Sequence, residues 1–243
     1  MKIPGNKILI TGGATGIGLG LAERFIKENN SVIICGRRES VLQEAKEKFP
    51  ALITKTCDLA SISEREGLYN WISTEHSDLN VLINNAGIQQ WMAITETDFF
   101  KRAKEEIAIN IEAPVHLASL FIHLKSLSSI INVTSGLSFF PLTKAPVYGA
   151  TKSFLHSFTM ALQHLLRSKN IEVIEMIPPA LNTDLGGKGL HDYAPPVSDF
   201  IESIFDQLKE GKTKLSFGFS EVMVNAGPKE IQEVFERLNP AVD

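Results

Sequence analysis

A glycine-rich turn at the end of a short apolar strand constrains this chain more than any other feature. Residues Lys7–Thr11 (KILIT) run straight into Thr11-Gly12-Gly13-Ala14-Thr15-Gly16-Ile17-Gly18, and an amphipathic stretch starts at Gly16. Glycine lets the backbone turn tightly and come close to a ligand. The start of a helix adds unpaired N–H groups and a partial positive charge. The spacing is G-x-x-x-G-x-G rather than G-x-G-x-x-G. Taken alone, such a turn serves equally well as a plain strand-to-helix connection. Its place directly after the first strand makes Gly12, Ala14, Thr15, Gly16, Ile17 and Gly18 a candidate phosphate cradle.

The rest of the chain repeats the strand-then-helix pattern. Ser31–Cys35, Leu52–Thr56, Leu79–Asn84, Ser129–Thr134 and Ile171–Ile177 are short runs rich in Ile and Val, read as buried strands. Gly16–Glu28, Ser40–Lys48, Ile62–His76, Phe99–Lys125 and Tyr148–Ser168 read as helices, and Lys214–Phe217 and Lys229–Leu238 supply a last strand and helix. This alternation predicts an α/β fold: a doubly wound parallel sheet, Rossmann-type, with helices on both faces. Ligands of such sheets bind outside the carboxyl ends of the strands. The 243 residues are expected to form a single domain, 1–243, since a chain of this length buries about three-quarters of its unfolded surface. The least regular stretch, Asn182–Asp199, holds three glycines and Pro195–Pro196; it is expected to be a substrate loop, a candidate lid.

Composition narrows the function classes. A formal net charge of −4 gives no basic field for nucleic acid. No signal-peptide pattern and no apolar run of membrane-spanning length is present, so the expected location is cytoplasmic, with no membrane partner. Cys35 and Cys57 lie in apolar surroundings without a partner at metal-ligand spacing and are expected to be buried thiols. The six histidines are scattered, and no metal site is expected.

The second strand ends in Gly36-Arg37-Arg38. Sites that prefer NAD usually place an acid here, on the ribose 2′-hydroxyl. Arg37 and Arg38 instead suit a 2′-phosphate, because a guanidinium pairs bidentately with its oxygens; otherwise they are two solvated arginines opening a helix. After the third strand come Asp58 and Leu59, and after the fourth Asn84-Asn85-Ala86-Gly87. Asp58 can accept from an adenine amine, and the small residues of 85–87 let the chain pass close to a dinucleotide. Equally, Asp58 can cap the next helix and the Asn-Asn pair can be a turn.

At the other end of the site, Tyr148 and Lys152 stand four apart on a predicted helix and share a face. A phenol near pKa 10 needs help to move protons at neutral pH, and a neighbouring ammonium is expected to lower its pKa. Ser135 ends the fifth strand and can hold a substrate oxygen beside the phenol. Asn110, within the long predicted helix, can hold a water that passes protons to Lys152. Trp91, Phe139 and Phe140 follow these motifs and either line a substrate pocket or pack in the core.

TGGATGIG, Asp58-Leu59, NNAG at 84–87, Asn110, Ser135 and YGATK at 148–152, in this order and spacing, resemble the single-domain branch of the short-chain dehydrogenase/reductase family over about Lys7 to Asp184. The resemblance implies Asn110, Ser135, Tyr148 and Lys152 as a catalytic tetrad, with Lys152 also contacting the nicotinamide ribose. It implies a dinucleotide held by the glycine turn, Asp58, Leu59, Asn85, Ala86, Gly87, Tyr148, Lys152 and the turn after the sixth strand, Pro178, Leu181 and Thr183. That turn usually reads Pro-Gly; here it is Pro178-Pro179, which stiffens it and removes an N–H. GGATGIGLGLA, PVYGATK and IPPALNTDL also resemble a narrower group, the oxidoreductases encoded beside teichoic-acid D-alanylation genes in Gram-positive bacteria. This implies a bacterial source and no particular substrate.

The expected function is hydride transfer between NADP(H), with NAD(H) as the alternative cofactor, and a small carbonyl or alcohol. A cofactor-loaded sensor without turnover is the competing reading; a sensor has no need of the tetrad. The resemblance, and the apolar residues on several sides of Tyr148–Ser168, imply a homodimer or homotetramer.

Overall fold

Seven strands are laid down along the chain: β1 (Lys7–Thr11), β2 (Ser31–Gly36), β3 (Ile53–Thr56), β4 (Val81–Asn84), β5 (Ser129–Val133), β6 (Glu172–Ile177) and β7 (Lys214–Ser216). They form one sheet in the order β3-β2-β1-β4-β5-β6-β7, every pair parallel. The order reverses between β1 and β4, and a crevice at their carboxyl ends is where such sheets bind ligands. These features come from a computed structural model, which describes residues 1–240.

Nine α-helices cover the sheet among the described residues: α1 (Gly16–Lys27), α2 (Glu39–Lys48), α3 (Ile62–Glu75), α4 (Phe99–Ile107), α5 (Ala113–Phe121), α6 (Pro146–Leu165), α7 (Val197–Lys209), α8 (Phe219–Asn225) and α9 (Pro228–Leu238). Strand side chains alternate between faces. Ile8, Ile10, Val32 and Ile34 therefore pack with Leu21, Phe25, Phe200 and Phe205 on one side. Leu9, Ile33, Leu82 and Ile130 pack with Leu68, Ile72, Leu117 and Phe121 on the other. Covering both faces is what makes the strand sequences continuously apolar. No helix among the described residues is long and apolar enough to cross a membrane.

Three expectations are corrected. The predicted helix Phe99–Lys125 is α4 and α5 joined by a π-helical turn, Ala108–Glu112, and it ends at Phe121. The cause lies in Pro114, which has no N–H to return to the Asn110 carbonyl four residues earlier. The predicted loop 182–199 ends sooner, because α7 starts at Val197. The backbone N–H of Asn182 donates to the Pro195 carbonyl (2.9 Å) and closes the loop's base. Finally, α7 and α8 are helices that the sequence reading does not contain.

Candidate active site

The glycine turn leaves helix α1 open at its start. Thr15 occupies the cap position with an exposed side chain that makes no capping hydrogen bond, and the first turn carries no acid. The first N–H groups thus keep their partial positive charge for an anion. Gly12 has φ +63°, and a Cβ there would sit 2.9 Å from Ala86 Cα; Gly16 has φ +51°. A Cβ on Gly18 would collide with the Gly12 carbonyl oxygen. Arg37 and Arg38 are exposed beside the end of β2, and a Cβ at Gly36 would meet only Leu42, at 4.0 Å. Open space therefore lies where an acid would stand.

Asp58 uses Oδ1 to accept from the Ala60 N–H (3.0 Å), while the α3 cap is Ser61. Leu59 is buried, and its carbonyl accepts from Arg65 (2.7 Å), an arginine that is itself buried and also donates to His116 Nδ1 (3.1 Å). The Asn85–Gly87 turn hangs on Thr11. Its hydroxyl accepts from the Asn85 and Ala86 N–H groups (3.0 Å each), and the Asn85 amide donates back to the Thr11 carbonyl (2.9 Å).

Gly87 is where the two ends of the tetrad meet. A Cβ there would stand 3.3 Å from Lys152 Nζ and 3.4 Å from Asn110 Oδ1, so glycine leaves the gap between them open. Asn110 is buried within the π turn. Its amide holds both the N–H and the carbonyl of Ile88 (2.9 Å each) and donates to Thr151 Oγ1 (3.0 Å). Leaving the regular helical ladder frees this residue to face the 88–90 segment.

Tyr148 and Lys152 share the inner face of α6, one turn apart and buried, with Nζ 5.7 Å from the phenol ring centre. Nζ donates to the Val133 carbonyl (2.9 Å), two residues before Ser135. Burial pushes the Tyr148 phenol up to about 12; a hydrogen bond with Ser135 works against that shift, and the charge of Glu106 adds to it. Burial lowers the Lys152 ammonium to about 8. The expected lowering of the phenol by Lys152 is therefore absent: desolvation dominates, and Nζ is turned toward a carbonyl. Ser135 accepts from the Leu137 N–H (3.1 Å), and Ser138 anchors the Lys152 carbonyl (3.0 Å).

The turn after β6 joins the two ends. The Pro178 carbonyl accepts from Gly136 N–H (3.0 Å), next to Ser135. Leu181 is buried, and Thr183 Cγ2 stands 3.4 Å from a Cβ built on Gly16, against the phosphate turn. Direct contacts thus join the glycine turn to Asn85–Gly87 and Thr183, and Gly87 to Asn110 and Lys152; Phe140 instead packs with Met223 and Val234 in a separate core cluster, with Phe139 against it. Sequence reasoning missed Thr11, Thr151, Glu106, whose buried carboxylate accepts the Gln90 N–H, and Arg102, which donates to Gln90 Oε1 and the Trp91 carbonyl. Thr11 and Thr151 stood inside the motifs, whereas Glu106 and Arg102 carried no local signal.

A family model for short chain dehydrogenases matches residues 6–193. The chain belongs to the short-chain dehydrogenase/reductase family. It is an NAD(P)-dependent oxidoreductase of that family, 45% identical over 253 aligned positions to the uncharacterized oxidoreductase DltE of Bacillus subtilis, across 98% of each chain. The narrower resemblance seen in the sequence is therefore found as well. Two solved structures share the fold: a short chain dehydrogenase from Burkholderia cenocepacia in complex with NADP (TM-score 0.84, 21% identity, 98% and 99% coverage) and a short chain dehydrogenase/reductase from Burkholderia phymatum in complex with NAD (TM-score 0.81, 16% identity, 100% and 98% coverage).

Proposed function

We propose that the protein transfers a hydride between NADP(H) and a small carbonyl or alcohol substrate, using Ser135, Tyr148, Lys152 and Asn110. The observation that carries this reading is the convergence of those four side chains at the strand ends, beside a glycine turn whose helix start has no side-chain cap. A dinucleotide fits this crevice. Its pyrophosphate would rest on the open N–H groups of Gly16–Gly18, and its remaining length would follow Asp58, Leu59 and Asn85–Gly87 toward Pro178, Leu181 and Thr183. When bound, the nicotinamide ring supplies or accepts the hydride.

The chain's own residues supply orientation and proton transfer. Ser135 and Tyr148 hold the carbonyl oxygen between two hydroxyls. With its phenol up at about 12, Tyr148 stays protonated at neutral pH, the form that donates to an oxygen gaining negative charge. Lys152, lowered to about 8, is still mostly an ammonium at neutral pH and stabilises the phenolate left behind. Gly87 leaves the space between Asn110 and Lys152 open, where a water held by Asn110 can return the proton.

The preference for NADP(H) rests on Gly36, Arg37 and Arg38. A charge-assisted hydrogen bond is worth about 1.5–3 kcal/mol net, roughly ten- to a hundredfold in affinity. Arg37→Ala is expected to weaken NADPH by about that factor and to leave NADH nearly unchanged, in titrations at low and moderate ionic strength. Equal affinity of the wild type for both cofactors would overturn the preference. The activity itself is tested by NADPH consumption against ketones, aldehydes and quinones. Tight cofactor binding with no turnover of any of them would favour a sensor instead.

A further inference from the structure

One buried carboxylate near the reacting phenol has no place in the tetrad. Glu106 on α4 is fully buried; one of its oxygens accepts the Gln90 N–H, and the other, Oε2, has no hydrogen-bond partner among the described residues. It sits between Arg102 and Asn110, each four residues away along the helix. All three reach the same extended segment. Asn110 holds Ile88 at both backbone groups. Glu106 holds Gln90 N–H. Arg102 donates to Gln90 Oε1 (2.9 Å) and to the Trp91 carbonyl (2.5 Å), and also pairs with Glu96 (2.6 Å). The segment's other side faces the glycine-rich loop: a Cβ on Gly186 would lie 3.6 Å from both Gln89 Oε1 and Trp91 Nε1.

We propose that Arg102 and Glu106 are positioning residues for substrate binding: together with Asn110 they form a ladder on one helix face that fixes Gln89 and Trp91 as the pocket wall opposite the 182–199 loop. This rests on the hydride-transfer reading above. The central rung is sensitive to protons. Burial raises the Glu106 carboxyl to about 7, with the Gln90 N–H and Arg102 opposing the rise. The groups around it are Arg102 on its own helix, the Tyr148 phenol on α6, whose own value its charge raises, and Glu105, whose carboxylate meets Gln90 Nε2 (3.4 Å). On Trp91 lies Lys144, 5.7 Å from the ring centre. When ionised, Glu106 makes a charge-assisted bond to the segment and attracts Arg102; when protonated it loses most of both.

Trp91 reports on the wall without any need for turnover. Replacing the other tryptophan, Trp71→Phe, leaves Trp91 emission alone to be followed between about pH 5.5 and 8.5. The expected result is a titration with a midpoint near 7 that Glu106→Gln abolishes. Arg102→Met, which removes the nearby cation, should move the midpoint upward; it serves as the second test if Glu106→Gln does not fold. With a carbonyl substrate, Glu106→Gln should raise the carbonyl KM about tenfold, the worth of a charge-assisted bond, and leave the cofactor KM within about twofold. The wild-type carbonyl KM should climb as pH falls through 7, and the variant's should be flat. A Trp91 titration that survives Glu106→Gln, a midpoint unmoved by Arg102→Met, or equal rises in both KM values would overturn the proposal. If the wild type reduces no carbonyl at all, the hydride-transfer reading fails, and the Trp91 titration still decides whether the ladder exists.

Discussion

Lys152 costs the folded protein stability at neutral pH, and that cost has a sign and a window. Its ammonium titrates near 8 in the folded chain against about 10.4 when unfolded. Below about pH 8 both states are protonated and the burial penalty is present in full. Between about 8 and 10.4 the unfolded chain binds more protons, so stability rises with pH. Lys152→Met removes the buried ammonium and keeps the side chain's bulk. Without cofactor, this variant should melt several degrees above the wild type at about pH 7 and lose most of that advantage at about pH 10, measured by thermal unfolding. The same variant should be almost inactive. A gain in stability paired with a loss of activity at one residue marks a group placed for function. Tyr148, Lys152, Ser135 and Asn110 were legible as residue types at fixed spacing. Their electrostatics were not, because spacing says that a phenol and an ammonium share a helix face but not which way Nζ turns. It donates to Val133, and burial sets both pKa values.

At the scale of elements, the strands were readable because they are short, largely apolar runs, and α1 because its apolar residues recur at helical spacing. Helix α7 follows the same rule, with Val197, Phe200, Ile201, Ile204, Phe205 and Leu208 spaced three and four apart and all but Val197 buried, but its first turn overlaps the irregular, proline-containing stretch that ends at Asp199, which masks its start. The π turn was hidden for a different reason: Pro114 predicts a break, but only the contacts of Asn110 with Ile88 and Thr151 determine that the break becomes a wide turn. The phosphate turn was the most legible element of all, since its glycines answer to geometry. Gly18→Ala tests that directly. The added methyl group collides with the Gly12 carbonyl, which is backbone and cannot swing aside. Cofactor affinity is expected to fall at least about tenfold, measured by titration, with the sheet's circular-dichroism signature kept. Unchanged affinity would mean that the turn has room to spare.

For the whole molecule, α6 carries the central claim on one face and a second claim on the other. Its outer side presents Phe154, Phe158, Ala161 and Leu165 in a stripe, with Phe154 and Leu165 43% and 65% exposed and the Phe154 and Phe158 rings stacked 6.2 Å apart. We propose that this stripe packs against a second copy of the chain, so light scattering at micromolar concentration should give a dimer or tetramer, and Leu165→Glu should shift it toward monomer. A wild-type monomer would contradict this. The α/β architecture was legible from alternation alone, whereas the ladder of Arg102, Glu106 and Asn110 was not, because nothing local links a helix to a segment more than ten residues upstream. The inner face of α6 is tested most directly by Tyr148→Phe, which removes one hydroxyl and keeps the ring. With any carbonyl the wild type reduces, NADPH turnover should fall by roughly 10²–10⁴ while NADPH affinity changes little. Turnover within about twofold of the wild type would show that the proton comes from elsewhere and that the proposed site is wrong.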